Sequence, residues 1–288
     1  MKNKATLLAC IICLYQYAAG QDTVTLTKNN YYERPQKWGF ITHVPYDLVQ
    51  IGKSPFQKKN LLGLSVVAAS TAILIPYDQP ILDAVKRASD HIHLESQTDY
   101  SVPLKIGDTK IIKVPRNFNS ALYQLGEGGT SLLVGSGLFI FGKINKDNRA
   151  LQTASDIAET FITMGVTTQV LKRMTGRESP FMRTKPGGAW RPFPSFKEYQ
   201  VNTSNYDAFP SGHLATMMAT VTVLTTNYPE KKWIGILGYS LIGLTGWAMV
   251  NTEVHWVADY PLALALGYIS GRITCLRHKK PTHTVTVL

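Results

Sequence analysis

The chain has 288 residues, which is long enough to bury a sizeable hydrophobic core. Its 30 Lys and Arg against 19 Asp and Glu give a formal net charge of +11, and this excess favours anionic partners. Nucleic acid is not the expected partner, because the sequence contains no nucleic-acid-binding motif and no basic helix with interleaved aromatic residues. Phosphate esters and lipid headgroups are the other anionic partners that the charge favours.

The first 20 residues have the pattern of a secretory signal peptide. Lys2 and Lys4 precede an apolar stretch, and Ala18, Ala19 and Gly20 follow it as a small-residue cleavage site. An uncleaved membrane anchor is the alternative. We expect export to a bacterial periplasm or cell envelope. Cleavage would leave one of the three cysteines, so no disulfide framework is expected.

Three segments follow the predicted signal peptide. Residues 21–60 are expected to form an N-terminal arm that packs on the main body, and residues 277–288 form a basic C-terminal tail. Residues 61–276 contain apolar segments with Gly or Pro near their ends, which is typical of helices. The predicted helices cover residues 61–75, 131–141, 153–174, 213–228, 233–250 and 260–274. We therefore expect an all-α domain, a bundle of about six core helices.

A polar connection over residues 88–128 interrupts these helices. Within it, residues 104–112 alternate around Gly107-Asp108 and predict a β-hairpin. His91 and His93 of this connection lack a third metal ligand, and His43 in the arm is interpreted as a surface or packing residue. The sequence therefore predicts no metal site and no cofactor.

The predicted helices are short for membrane spans. A span needs about 20 mostly apolar residues, and only residues 233–250 come near that length. The mean hydropathy of −0.05 is low for a six-span protein. Lys and Arg occur in all the connections, so their distribution selects no orientation. We expect a globular helical domain that can associate with a membrane surface.

Residues 205–260 hold the main chemical signal. Ser211 is a predicted helix N-cap, and the free backbone N–H groups that follow it form an anion site beside His213. His255 and Asp259 are four residues apart, so on one helical face the carboxylate would orient the imidazole. This pattern indicates phosphoryl transfer through a histidine.

Three sequence blocks in order match a known family. They are Lys172 through Pro180 (KRMTGRESP), then Pro210-Ser211-Gly212-His213, then His255 with Asp259. The chain resembles the type 2 phosphatidic acid phosphatases, which share a fold with bacterial non-specific acid phosphatases and vanadium haloperoxidases. The resemblance covers roughly residues 60–275.

The resemblance implies a role for each matching residue. His255 would be the nucleophile and form a phosphohistidine, with Asp259 on its other ring nitrogen. His213 would be the general acid for the leaving oxygen and then the general base for water. Lys172, Ser211 and the backbone N–H of Gly212 would bind the phosphate oxygens. Such a site needs no metal.

Two positions depart from the family pattern. Ser179 and Met249 occupy positions where the family carries arginines, and neither residue replaces a bidentate guanidinium. Arg177, Arg183 or Arg191 can supply the missing charge, and we expect Arg177 or Arg191 to point toward His255. Alternatively, the substrate needs fewer phosphate contacts, or catalysis has been lost.

Three functions follow. The first is an exported, metal-independent phosphatase acting on a phosphate monoester or pyrophosphate, plausibly on a lipid such as phosphatidate, a lipid A precursor or polyprenyl diphosphate. The second is a catalytically impaired envelope protein of the same fold that binds phosphorylated lipid. The third is a vanadate-dependent haloperoxidase, which the missing arginines disfavour.

Overall fold

A computed structural model describes residues 32–107 and 109–278. The predicted signal peptide, residues 21–31 of the arm and residues 279–288 of the basic tail lie outside these residues. Residues Tyr32–His278 form one compact unit, so the described part of the arm and the helical body belong together.

The chain is mostly helical, with one two-stranded sheet among the described residues. The helices are α1 (Gly39–Thr42), α2 (Val44–Lys53), α3 (Leu61–Leu74), α4 (Asp78–His91), α5 (Phe118–Gly126), α6 (Gly128–Asn145), α7 (Asn148–Thr175), α8 (Phe196–Val201), α9 (Gly212–Asn227), α10 (Lys232–Asn251) and α11 (Tyr260–His278). The strands are β1 (Tyr100–Ile106) and β2 (Thr109–Pro115). The prediction of an all-α fold is confirmed, and the two antiparallel strands lie where the hairpin was predicted.

The longest helix, α7, has a clear signal at each end. The side chain of Asp147 accepts a hydrogen bond from Ala150 N at 3.1 Å, which caps the first turn. At the other end Gly176 adopts φ +56°. A Cβ atom there would lie 1.8 Å from the carbonyl oxygen of Arg191, so only glycine fits this position. The chain therefore leaves the helix just after Lys172, in a fixed direction.

Helix α9 lies at the centre of the bundle and packs against α7, α10 and α11. Two glycines of α11 allow its close approach, since a Cβ on Gly267 would lie 2.3 Å from Ala215 O and one on Gly271 would lie 2.9 Å from Ala219 O. The core around this contact includes Met164, Leu214, Met217, Ile242, Met249, Ala263 and Leu266. Helix α9 is thereby held rigidly, with its N-terminus at one end of the bundle.

Helix α5 lies within residues 88–128, for which the sequence predicts a polar connection and no helix. Its N-cap, Asn117, accepts a hydrogen bond from Ser120 N at 2.7 Å. Only nine residues follow the cap, too few for a clear helical period. The helix is nevertheless important, because it places Tyr123 beside the candidate active site.

Two helical stretches are long and apolar enough to cross a membrane, judged by length and composition alone: Lys58–His91 and Lys232–Asn251. The first extends beyond residues 61–75, because the chain passes through a single 3-10 turn at Ile75–Tyr77 and continues as α4. Its apolar part has no buried residue, and α6 also exposes large side chains. Those of α6 include Leu133, Phe139, Ile140, Phe141 and Ile144. The bundle therefore has an extensive apolar surface.

Candidate active site

Backbone hydrogen bonds join the three sequence blocks at one end of the bundle. Ser211 N donates to Asp259 O at 3.2 Å, which connects the start of α9 to the turn before α11. Ala208 N donates to Arg177 O at 2.9 Å, and the hydroxyl of Thr175 donates to Phe209 O at 2.8 Å. The loop after α7 therefore meets the same junction. Blocks that are 30 or more residues apart in sequence form one structural unit.

His255 lies between a carboxylate and a second imidazole. Its Nδ1 is 3.3 Å from Oδ2 of Asp259, and its Nε2 is 3.3 Å from Nδ1 of His213. His255 and Asp259 are both almost completely buried. The carboxylate thus leaves Nε2 as the ring nitrogen that faces His213.

The backbone between His255 and Asp259 is not helical, although the sequence predicts that both residues lie on one helical face. His255 and Trp256 are in an extended segment, and Val257–Asp259 forms a 3-10 turn before α11 begins. Asp259 also accepts a hydrogen bond from Trp256 N at 2.8 Å, which closes this turn. The helix prediction for this segment is wrong, but the turn still brings the carboxylate to the imidazole.

Ser211 caps α9 as the sequence predicted. Its hydroxyl accepts from Leu214 N at 3.4 Å, and its side chain is fully buried. The side chain of Lys172 is adjacent to this helix start, since a Cβ on Gly212 would lie 3.7 Å from Nζ of Lys172. Nζ of Lys172 also lies 3.6 Å from Oδ2 of Asp207. The helix N-terminus and one ammonium group therefore lie beside His213.

Arg177 contacts Asp259 instead of facing open space. Its Nη1 donates to Oδ1 of Asp259 at 2.6 Å, and its Nη2 donates to Oδ2 of Asp78. All three side chains are fully buried. Arg177 thus lies beside Asp259, the carboxylate that contacts His255. Direct phosphate binding by Arg177 remains a prediction, which its two carboxylate contacts do not support.

The other candidate arginines have different partners. Arg191 contacts Glu178 at 3.1 Å and Thr184 at 3.1 Å, and Arg183 contacts Glu253 at 2.5 Å. None of these described contacts involves His255. The sequence could not distinguish among the three arginines, because the fold of the loop after α7 decides which one is buried.

The two positions that depart from the family pattern are buried. Ser179 donates its backbone N–H to Ser204 O at 2.9 Å. Met249 is 0% exposed, and a Cβ on Gly126 would lie 2.5 Å from its terminal methyl and 3.2 Å from Cβ of His213. Met249 is therefore an apolar core residue next to the catalytic candidates.

Burial governs the protonation of the two histidines. Desolvation lowers the pKa of His255 to about 3, and the positive charge of Lys172 acts in the same direction. Desolvation, His255 and Lys172 likewise lower the pKa of His213 well below its usual range. Burial raises the pKa of Asp259 to about 6, because desolvation outweighs the attraction of Arg177. Both imidazoles are thus neutral near pH 7 in the free protein.

A cavity of about 680 Å³ adjoins the site. Its lining includes Tyr123, whose ring centroid is 5.3 Å from that of His213, and Val254, the residue before His255. Lys113 of β2 also lines it and forms an ion pair with Glu127 at 3.2 Å. Tyr123, Lys113 and Asp207 could not be predicted from the sequence as residues near the site, because none of them belongs to a recognisable motif.

The all-α bundle and its three joined loops have the arrangement that the resemblance implied. Comparison with known families agrees, since residues 154–282 match the sequence model of the PAP2 superfamily. This match to the PAP2 superfamily includes all three sequence blocks of the candidate site.

Two individual proteins are similar to the chain. A lipid A 1-phosphatase from Porphyromonas gingivalis is 28% identical over 80 residues, which are 27% of this chain and 18% of that protein. The matched segment thus spans about a fifth of that relative's length. A crystal structure of a transmembrane PAP2 type phosphatidylglycerolphosphate phosphatase from Bacillus subtilis matches with 14% identity and a TM-score of 0.36, covering 82% of this chain and 94% of that one.

Proposed function

We propose that this protein is a phosphatase that transfers a phosphoryl group to His255 and then to water. The observation that carries the proposal is the position of His255, with Asp259 at Nδ1 and His213 at Nε2, each at 3.3 Å. A neutral imidazole with one nitrogen held by a carboxylate has a free electron pair at the other nitrogen. That is the requirement for a nucleophile.

The proposed reaction has two steps. The substrate phosphate binds with one proton, which passes to His213. Nε2 of His255 attacks phosphorus, the bond from phosphorus to the leaving oxygen breaks, and the protonated His213 gives that oxygen its proton. Water then attacks the phosphohistidine while His213 takes a proton from it, and phosphate and neutral His255 are released. A bound phosphoryl group would take the place of the direct contact between the two rings.

The phosphate oxygens would be bound by Lys172, the hydroxyl of Ser211 and the N–H groups at the start of α9. The lysine and the helix N-terminus place positive charge where the equatorial oxygens develop negative charge. Arg177 would not touch the phosphate and would act indirectly, by holding Asp259 in place. These groups supply the charge stabilisation without a metal, so we propose metal-independent catalysis.

A lipid phosphate is the proposed substrate class. The name of the similar protein, lipid A 1-phosphatase, supports a lipid, and so does the apolar surface of α3 and α6. The cavity beside Tyr123 would hold the part of the substrate next to the phosphate. We also propose export and association with the cell envelope, on the pattern of residues 1–20.

Phosphate release from purified full-length protein tests the proposal. The substrates would be phosphatidate, phosphatidylglycerol phosphate, lipid A and undecaprenyl diphosphate in mixed micelles, with a chelator present. We expect release from at least one substrate by wild type and none above background by His255→Ala. Equal release by the two proteins would refute catalysis by this site.

A catalytically impaired lipid-binding protein is the second candidate. Met249 supports it, because a buried methionine stands where the family pattern has an arginine. Such a protein would bind phosphorylated lipid tightly in the same micelles and would release no phosphate. Binding and turnover measured on one preparation therefore separate the two functions.

A further inference from the structure

A second cluster of titratable groups lies near the middle of α7, away from Lys172. Glu159 of α7 meets His43, the residue before α2, and His278, the last residue of α11. The 1.5 Å rise per residue of an α-helix puts Glu159 roughly 20 Å from Lys172. The cluster is therefore separate from the candidate active site.

The three side chains have the spacing of metal ligands. Nδ1 of His43 is 3.5 Å from Oε2 of Glu159, and Nε2 of His278 is 4.0 Å from the same oxygen. All three ligand atoms lie within 4.8 Å of one another. Two ligands of a tetrahedral zinc ion, with bonds of about 2.0–2.1 Å, are about 3.4 Å apart. Small side-chain movements would complete the geometry.

Two of these atoms are buried without a hydrogen bond. Glu159 is 0% exposed, and neither its Oε2 nor Nδ1 of His43 has a hydrogen-bond partner among the described residues. A buried polar atom without a partner costs free energy, so proteins rarely leave one unsatisfied. One cation bound by both atoms would satisfy them together.

Charge balance points the same way. Asp47, Asp156 and Glu159 are buried carboxylates around this cluster, and Arg277 forms ion pairs with Asp47 and Glu159. Arg277 can balance only one of three negative charges. Asp156 is 3.6 Å from Nε2 of His278, so it is close enough to orient that imidazole or to add a ligand.

We propose that His43, Glu159 and His278 bind one divalent metal ion and that zinc is the ion best suited to them. Two imidazoles and a carboxylate are a zinc ligand set. The ion would join the N-terminal arm, α7 and the end of α11. Its role would be structural. This assignment replaces the interpretation of His43 as a surface or packing residue.

The test measures zinc binding and thermal unfolding of the full-length protein. Protein stripped with a chelator is dialysed and titrated with zinc, and bound metal is counted by mass spectrometry. We expect one zinc per chain and a midpoint of unfolding that rises by ~5–10 °C at a hundredfold excess over the dissociation constant. Visible absorption of the cobalt-substituted protein would report a tetrahedral site.

The two histidines provide the variants because they are partly exposed, whereas Glu159 is too buried to replace safely. His43→Ala and His278→Ala should each lose the zinc-dependent rise, whereas His91→Ala, which changes an exposed histidine on α4, should keep it. Wild type without bound zinc, or histidine variants that bind it as wild type does, would overturn the proposal. Phosphate release is measured in a separate experiment. Removal of zinc should lower the stability of the protein, but it should leave the reaction steps at His255 unchanged.

Discussion

The imidazoles of His213 and His255 face each other through Nδ1 and Nε2 at 3.3 Å, with their rings nearly perpendicular at 73°. His213 is fixed by α9, and His255 is fixed by the turn before α11. Since these two elements are hydrogen-bonded through Ser211 N and Asp259 O, the fold itself brings the two histidines together.

Replacing His255 by alanine should abolish phosphate release. Loss of a nucleophile that works together with an acid and an orienting carboxylate costs roughly 10⁴- to 10⁶-fold in kcat. The measurement is release of labelled phosphate, together with acid-labile labelling of the denatured protein after a short reaction. His91→Ala is the matched control, because it removes an exposed histidine that is distant in sequence from the site residues. Labelling that persists in His255→Ala would assign the nucleophile to another residue.

Replacing His213 by asparagine should have an effect that depends on the leaving group. If His213 protonates the leaving oxygen, a lipid phosphate with a poor alcohol leaving group should lose about 10²- to 10⁴-fold in rate. A nitrophenyl phosphate, whose leaving oxygen needs no proton, should lose far less in its first step. Burst kinetics separate that step from hydrolysis of the phosphohistidine. Equal losses for both substrates would argue against a general acid.

The pH profile of kcat/KM should be a narrow bell near pH 6. Asp259 has its pKa raised to about 6, so its carboxylate and the orientation of His255 are lost as the pH falls below that value. His213 has a lowered pKa and is neutral in the free protein, so the proton for the leaving group must enter with the substrate phosphate. The second pKa of that phosphate is about 6, so the protonated substrate disappears as the pH rises, which gives the basic limb. Asp259→Asn should be slower and should lack the acid limb. An acid limb that stays in Asp259→Asn would assign it to another group.

The helical bundle could be predicted from the sequence because it depends on local patterns, and such patterns also selected the main candidate residues. The N-cap Ser211 and the apolar runs are such patterns, and the helix at α9 follows from them. The contact of Arg177 with Asp78 and Asp259 could not be predicted, since it joins three distant segments. The turn between His255 and Asp259 could not be predicted either, because their spacing of four residues is that of a helical face and no local signal marks the 3-10 turn at Val257–Asp259.

Replacing Arg177 by methionine should destabilise the protein strongly. Asp78 and Asp259 would become buried carboxylates without a counter-charge, which costs about 3–5 kcal/mol of unfolding free energy. Arg183→Met is the matched control. Arg183 forms a partly exposed ion pair with Glu253, and such pairs contribute about 0–1 kcal/mol after solvent screening.

Urea denaturation of both variants measures this difference. The double variant Arg177→Met with Asp78→Asn should recover part of the lost stability, because it removes one of the two stranded charges. Equal denaturation midpoints for Arg177→Met and Arg183→Met would contradict the assignment of Arg177 as the buried counter-charge of Asp259.

Introducing an arginine at Met249 tests whether this position faces the phosphate. Met249 is completely buried, and its terminal methyl lies beside Gly126, a residue that also neighbours Thr245 and His213. We expect Met249→Arg to lower the unfolding free energy by several kcal/mol. Inorganic phosphate should restore part of this loss, because the start of α9 and Lys172 would hold an anion within reach of the new side chain.

The measurement is the midpoint of thermal unfolding against phosphate concentration for wild type, Met249→Arg and Met249→Leu. The leucine variant keeps the volume and polarity of the site, so it should lose less than about 1.5 kcal/mol and respond to phosphate as wild type does. A larger phosphate-dependent rise in Met249→Arg would show that the family's arginine position still faces an anion site. If phosphate raises the midpoints of the arginine and leucine variants equally, Met249 belongs to the core alone, and Lys172 and α9 must bind the phosphate without it.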